Sequence, residues 1–179
     1  VLPIPVDSEG IQISMLPEAG NTIVYVSPSN QFPLGSVMPA GKRYDLLNWA
    51  GSTGNYILED DYDSELRYYG KPIPSLQGMD SNGRVVYLGS FSSTLFPSIK
   101  ISYMVLPDQL LAYARESMDS YRQTCSKAEQ LTLALYMKNG LFQIHIKKLR
   151  RLYAQKMQKA AGAVRKHFGG TVQILQSVS

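Results

Sequence analysis

The sequence predicts an α/β domain with a mostly parallel sheet and helices on both faces. Short apolar runs bounded by Gly, Pro, Ser and Asn recur at 22–26, 56–58, 85–89 and 99–106, which suits buried strands. Helical patterns fall between and after them, and strands that alternate with helices form parallel sheets covered on both sides. Polar clusters stand directly after three of the runs, where open α/β sheets bind ligands.

Each element has a local cause. The run TIVYV at 22–26 follows Gly20 and stops at Ser27-Pro28. Residues 27–35, SPSNQFPLG, are too rich in turn formers for anything but a loop. Residues 40–50 read as a helix with Leu46, Leu47 and Trp49 inward. The second strand opens at 56–58 and runs into Glu59-Asp60-Asp61-Tyr62-Asp63. The third, 85–89, ends in Ser90-Phe91-Ser92-Ser93, and the fourth, 99–106, is stopped by Pro107. Pro107-Asp108 opens a helix to about 118, since proline is favoured at a helix start. Another helix spans 126–137, and Gly140 ends it. Apolar residues then fall at 142, 146, 149, 153, 157, 160, 164 and 168. Those steps of three and four mark one face of a long helix. Gly169-Gly170 end it, and 171–175 alternate like a strand.

The 179 residues suffice for one domain, or a large lobe with a small one. A lone cysteine, Cys125, excludes an intrachain disulfide and fits a reducing compartment, so a cytoplasmic location is expected. No apolar run approaches the ~18 residues of a membrane span, and no signal-peptide pattern opens the sequence. It begins at Val1 without a methionine, as expected of a piece of a longer protein. The net charge of +4 is unevenly spread: residues 130–179 hold nine basic side chains and no acidic one. Such a split marks either a surface for nucleic acid or an acidic partner, or a solvated basic helix face.

Position alone points to a pocket lined by Asn30 and Gln31, Asp60 and Tyr62, and Ser90, Ser92 and Ser93. Four carboxylates within 59–63 suit a hard divalent cation. They equally suit one buried carboxylate paired with a cationic ring nitrogen, its neighbours facing solvent. Capping of a following helix, or pairing with Arg67, is the purely structural alternative. The hydroxyls of 90–94, with Lys100 downstream, suit a phosphate, although a serine-rich turn is commonly only a turn. A hydrolytic triad is poorly supported, because His145 and His167 lie far from the serines and no Gly-x-Ser-x-Gly elbow occurs. One cysteine and two scattered histidines do not make a zinc site.

The segments also follow a known order. Ser27-Pro28-Ser29-Asn30-Gln31-Phe32-Pro33-Leu34-Gly35 with Met38-Pro39, Lys42-Arg43 and Leu46-Leu47 comes first. Ile57-Leu58-Glu59-Asp60-Asp61-Tyr62-Asp63-Ser64-Glu65 follows, then Gly89-Ser90-Phe91-Ser92 with Leu95, Pro97 and Ile101-Ser102-Tyr103. His145-Ile146-Lys147-Lys148-Leu149-Arg150-Arg151 closes the series. Together they resemble MocR/GabR-type transcription regulators, along nearly the whole chain.

The resemblance implies part of a fold-type-I aminotransferase large domain over 1–120, then long helices and the start of the small domain over 121–179. The family's winged-helix DNA-binding domain lies outside this sequence. It implies pyridoxal 5'-phosphate as cofactor and an amine or amino-acid effector, with Asp60 on the pyridine nitrogen and Tyr62 on the ring's 3-oxygen. Ser90 and Ser92 would sit near the phosphate, and Asn30 and Gln31 near the cofactor. Lys100 replaces the usual phosphate-binding arginine, so it supplies charge without a bidentate fork.

Ser93 stands where the family has its Schiff-base lysine, and a hydroxyl cannot condense with an aldehyde. A lysine-to-serine variant and a diverged member both fit. The family's glycine-rich phosphate turn and its effector-binding arginine also lie outside the sequence, so tight cofactor binding is not expected. The function implied is an effector-sensing domain fragment. The alternative is a fold-type-I aminotransferase inactivated at Ser93, although the His-Ile-Lys-Lys stretch favours the regulator. A homodimer is expected, with open sheet edges that invite domain swapping, and Tyr68-Tyr69 fit either its interface or a surface turn. DNA would be bound through the N-terminal domain alone, and no membrane is involved.

Overall fold

The apolar runs assemble into one four-stranded sheet. The computed structural model describes residues 1–18, 20–67, 73–96, 98–118 and 120–174. A small antiparallel hairpin, β1 (Val6–Asp7) and β2 (Gly10–Ile11), comes first. Then follow β3 (Ile23–Val26), α1 (Ala40–Thr53), β4 (Tyr56–Asp61), α2 (Leu76–Met79), β5 (Val85–Ser90) and β6 (Ser102–Val105). Three helices close the chain: α3 (Asp108–Met118), α4 (Lys127–Lys138) and α5 (Leu141–Phe168). The order is β3-β4-β5-β6, with the first three parallel and β6 antiparallel to β5.

Parallel neighbours need a crossover, and α1 supplies the one between β3 and β4. Its inner side, Leu46, Leu47 and Ala50, packs on Val24, Val26, Ile57 and Val85. Trp49 is half-buried against that core, and its Nε1 donates to the Pro17 carbonyl at 3.0 Å. The hairpin is fastened to α1 by Lys42 Nζ on Asp7, 2.9 Å away. Strand alternation sends Ile23, Tyr25 and Met104 to the other side of the sheet, where they are 69%, 58% and 56% exposed.

Several expectations change. The fourth strand is shorter than 99–106, because Ile99 and Ile101 are held by turn bonds to Phe96 and Phe91. It also runs antiparallel, since a turn rather than a crossover helix precedes it. The strand expected at 171–175 does not form over 171–174: Gly169–Thr171 tightens into a 3-10 turn, and Leu175 lies outside the described residues. Alternation alone makes no strand without an edge to pair with. Gly140, at φ 72°, separates α4 from α5 as anticipated. α5 is buried at Phe142 and Ile146, whereas its apolar series from 149 onward is exposed or half-exposed. At 28 residues the helix is roughly 42 Å long and runs past the body it packs on. The hairpin and α2 carry no periodicity long enough to read in sequence. Tyr68-Tyr69 lie outside the described residues. Among the described residues, no helix is long and apolar enough to cross a membrane.

Candidate functional site

Register sets the site. Val26 pairs with Glu59, and Asp61 with Gly89, so the C-terminal ends of β3, β4 and β5 lie side by side. The loop after Val26, the acidic cluster and the serines therefore meet at one edge.

β4 divides its acids between two faces. Glu59 and Asp61 point toward α1 and are buried, whereas Asp60 points the other way and is half-exposed. The pattern of one buried acid with solvent-facing neighbours does not hold: period-2 alternation buries two, Glu59 and Asp61, and leaves Asp60 between them half-exposed. Glu59 accepts the N–H groups of Leu76 and Gln77, each at 2.9 Å, at the start of α2. Its partner is Arg43, fully buried, with Nη1 3.8 Å from the Glu59 carboxylate. Arg43 also donates to the carbonyls of Met38, Pro74 and Pro28, each at 3.0 Å. Burial pushes Glu59 up and Arg43 down, and each charge holds the other. Asp61 accepts from Ser64 N (3.2 Å), Ser64 Oγ (2.6 Å) and Tyr87 OH (2.7 Å), so the structural alternative, capping the turn that follows, holds for this acid. Burial, then the bond to Asp61, pushes the Tyr87 phenol far above its ordinary range and keeps it a donor.

Asp60 borders an open depression of about 350 Å³ shared with Leu88, Ser90, Ser102, Tyr103 and Met104. The Tyr25 hydroxyl donates to Asp60 Oδ2, and that bond chiefly holds the phenol protonated. Nearby, Tyr62 OH donates to the Asn30 carbonyl (2.8 Å), Asn30 Nδ2 to Asp63 (2.7 Å), and Ser93 Oγ to the Tyr62 carbonyl (2.5 Å). Asn30, Tyr62 and Ser93 are thus linked to one another, while Asp60 and Ser90 share the depression. Gln31 and Lys100 join neither group. Ser92 N–H donates to Ser90 Oγ at 3.3 Å, but its own Oγ donates to the Ile99 carbonyl at 2.7 Å, bracing the turn. Gln31 pairs across its loop with Ser36 and borders a different cleft, near Val1 and Ile4. Lys100 is exposed and does not line the depression. Among the described residues, no three His, Cys, Asp or Glu side chains converge to hold a metal.

Sequence reasoning missed Tyr25, Arg43 and Gly89. Strand alternation puts Tyr25 on the side of Asp60, so that signal was readable. Nothing in the sequence marks Arg43 as buried. Gly89 gives the Tyr103 ring its room: a Cβ there would lie 2.3 Å from Cζ of Tyr103, so the ring would have to shift.

The parallel-centred α/β sheet with its trailing helices is the fold of part of a fold-type-I aminotransferase. Kynurenine aminotransferase from Pyrococcus horikoshii, solved with PMP, superposes with a TM-score of 0.85 at 28% identity, over 98% of this chain and 46% of that one. No family model matches the chain. In sequence it matches MocR-type HTH regulators: it is 48% identical over 97% of its length to the uncharacterized HTH-type transcriptional regulator YdeL of Bacillus subtilis. It is 35% identical, again over 97%, to the probable rhizopine catabolism regulatory protein MocR of Rhizobium meliloti. The chain spans 38% and 35% of the lengths of those two regulators.

Proposed function

We propose that this chain is the cofactor- and effector-sensing part of a MocR-type transcription regulator and does not itself catalyse amino transfer. Ser93 carries the reading. An aminotransferase-like site is retained around Asp60, yet a hydroxyl occupies the position at which the resembling family bonds the cofactor.

The residues fit a ring held without a covalent anchor. Asp60 offers a carboxylate, oriented by Tyr25, at an open depression that also presents Ser90. Facing a pyridine nitrogen, that carboxylate would hold a proton there. Pyridoxal 5'-phosphate, when bound, supplies an electrophilic aldehyde on an electron-poor ring. Tyr62 and Asn30 brace the loop beside it, and the Ser93 hydroxyl, on the Tyr62 carbonyl, offers no amine to accept or deliver a proton. In the longer protein, DNA recognition would lie with a helix-turn-helix segment, the effector would be an amine or amino acid, and two chains would pair. Residues 1–120 would contribute to the large domain and 121–179 to the long helices and the small domain.

The test is an absorbance titration of the chain and of Ser93→Lys with pyridoxal 5'-phosphate. At stoichiometric cofactor a visible band is expected in Ser93→Lys above the background that the ten other lysines give in the unsubstituted chain, since an amine at position 93 would meet the bound aldehyde. The absence of any change above that background in Ser93→Lys would count against a cofactor pocket at Asp60.

A further inference from the structure

We propose that the exposed basic face of α5 binds the phosphate backbone of duplex DNA irrespective of base sequence. At 100° per residue, Lys147, Lys148, Arg151, Lys159, Arg165 and Lys166 fall within about a third of the helix circumference. All six are exposed. They extend along roughly 28 Å of helix axis, at ~1.5 Å per residue. The other two bases of the helix are engaged elsewhere: Arg150 Nε donates to the Glu65 carbonyl at 2.5 Å, and Lys156 lies 5.2 Å over the Tyr153 ring. The apolar series 149, 153, 157, 160 and 164 runs along the opposite side, so a cover over that side would leave the cations facing outward.

Lysines on a solvated helix face are usually interleaved with acids that pair at i, i+4. α5 has no acid at all, and neither does the rest of 130–179. Six cations in line, none in an ion pair among the described residues, repel one another, a cost that a polyanion reverses. A duplex carries one negative charge per ~1.7 Å of axis, dense enough to meet every cation along the stripe. DNA is the polyanion expected beside this chain, because the sequence relatives are HTH-type regulators. Lysine and arginine on phosphates position a protein without reading bases, which leaves sequence choice to another segment. The stripe lies apart from the Asp60 depression, so this proposal stands whatever that depression binds.

The experiment is a fluorescence-anisotropy titration of a labelled 30-base-pair duplex of arbitrary sequence with the 179-residue chain, from 50 to 200 mM KCl. Six phosphate contacts give a log–log salt slope of about −5, so binding weakens about a thousandfold over that range. Lys159→Gln/Lys166→Gln should make the slope shallower by about two. Arg115→Gln/Arg122→Gln removes the same charge from exposed sites elsewhere and should leave the slope unchanged. Circular dichroism checks that both variants keep their helix content. Equal losses in the two variants, no binding at 50 mM, or tighter binding to single-stranded RNA or to phosphatidylglycerol vesicles than to the duplex would each overturn the proposal.

Discussion

At the scale of single residues, backbone alternation decides which side chains become chemistry. Asp60 reaches the depression because Glu59 and Asp61, one position either way, are turned into the protein. Gly89 serves the same site by taking up no space. Gly89→Ala must displace the Tyr103 ring, which stacks 5.3 Å from Phe91 and 6.1 Å from Tyr87. A loss of about 1–3 kcal/mol is expected by urea denaturation, and adding Tyr103→Ala should cost less than its own single-variant loss. Glu65 makes a pH prediction. Burial raises its carboxyl above the ordinary 4.5, so the folded state binds that proton more tightly than the unfolded chain does. Its contribution is fully present below the ordinary value and is lost as pH rises through the folded value. Glu65→Gln should therefore gain stability relative to the unsubstituted protein as pH rises above the ordinary value, read from denaturation midpoints across a pH series. A constant difference would rule the effect out.

At the scale of elements, the site is held by one buried cation. Arg43 on α1 joins the loop after β3, the segment before α2 and, through Glu59, the middle of the sheet. Arg43→Met strands the Glu59 carboxylate and three carbonyls in the interior, and a loss of about 3–5 kcal/mol is expected. Replacing both partners, Arg43→Met/Glu59→Met, should be milder, because no uncompensated charge remains. If the double variant is as unstable as Arg43→Met alone, the carbonyl bonds rather than the ion pair are what matters.

At the scale of the whole molecule, what the chain leaves open is as informative as what it buries. Ile23, Tyr25 and Met104 form an exposed side of the sheet, and the outer part of α5 lacks cover along its apolar series. Exposed apolar faces of this kind favour association. Sedimentation velocity should show concentration-dependent self-association of the chain, reduced by Met104→Glu. The matched regulators are more than twice as long as this chain. A chain that stays monomeric at high concentration would speak against the homodimer proposed above.

The sequence by itself determined the succession of the main strands and helices, the long helix, the acidic and serine clusters at strand ends, and the unusual Ser93. These features are local, since periodicity, turn residues and motif order are written in consecutive positions. Only the tertiary structure decided that Glu59 rather than Asp60 is spent on Arg43, that Tyr25 orients Asp60, that Ser92 braces its turn, and that Lys100 stands away from the depression. It also decided that β6 runs antiparallel and that 171–174 forms no strand. Those outcomes depend on register and on the approach of residues some 15 to 35 positions apart, as at Tyr25 with Asp60 and Arg43 with Pro28. No local pattern encodes which distant backbone a side chain will meet once the sheet has formed.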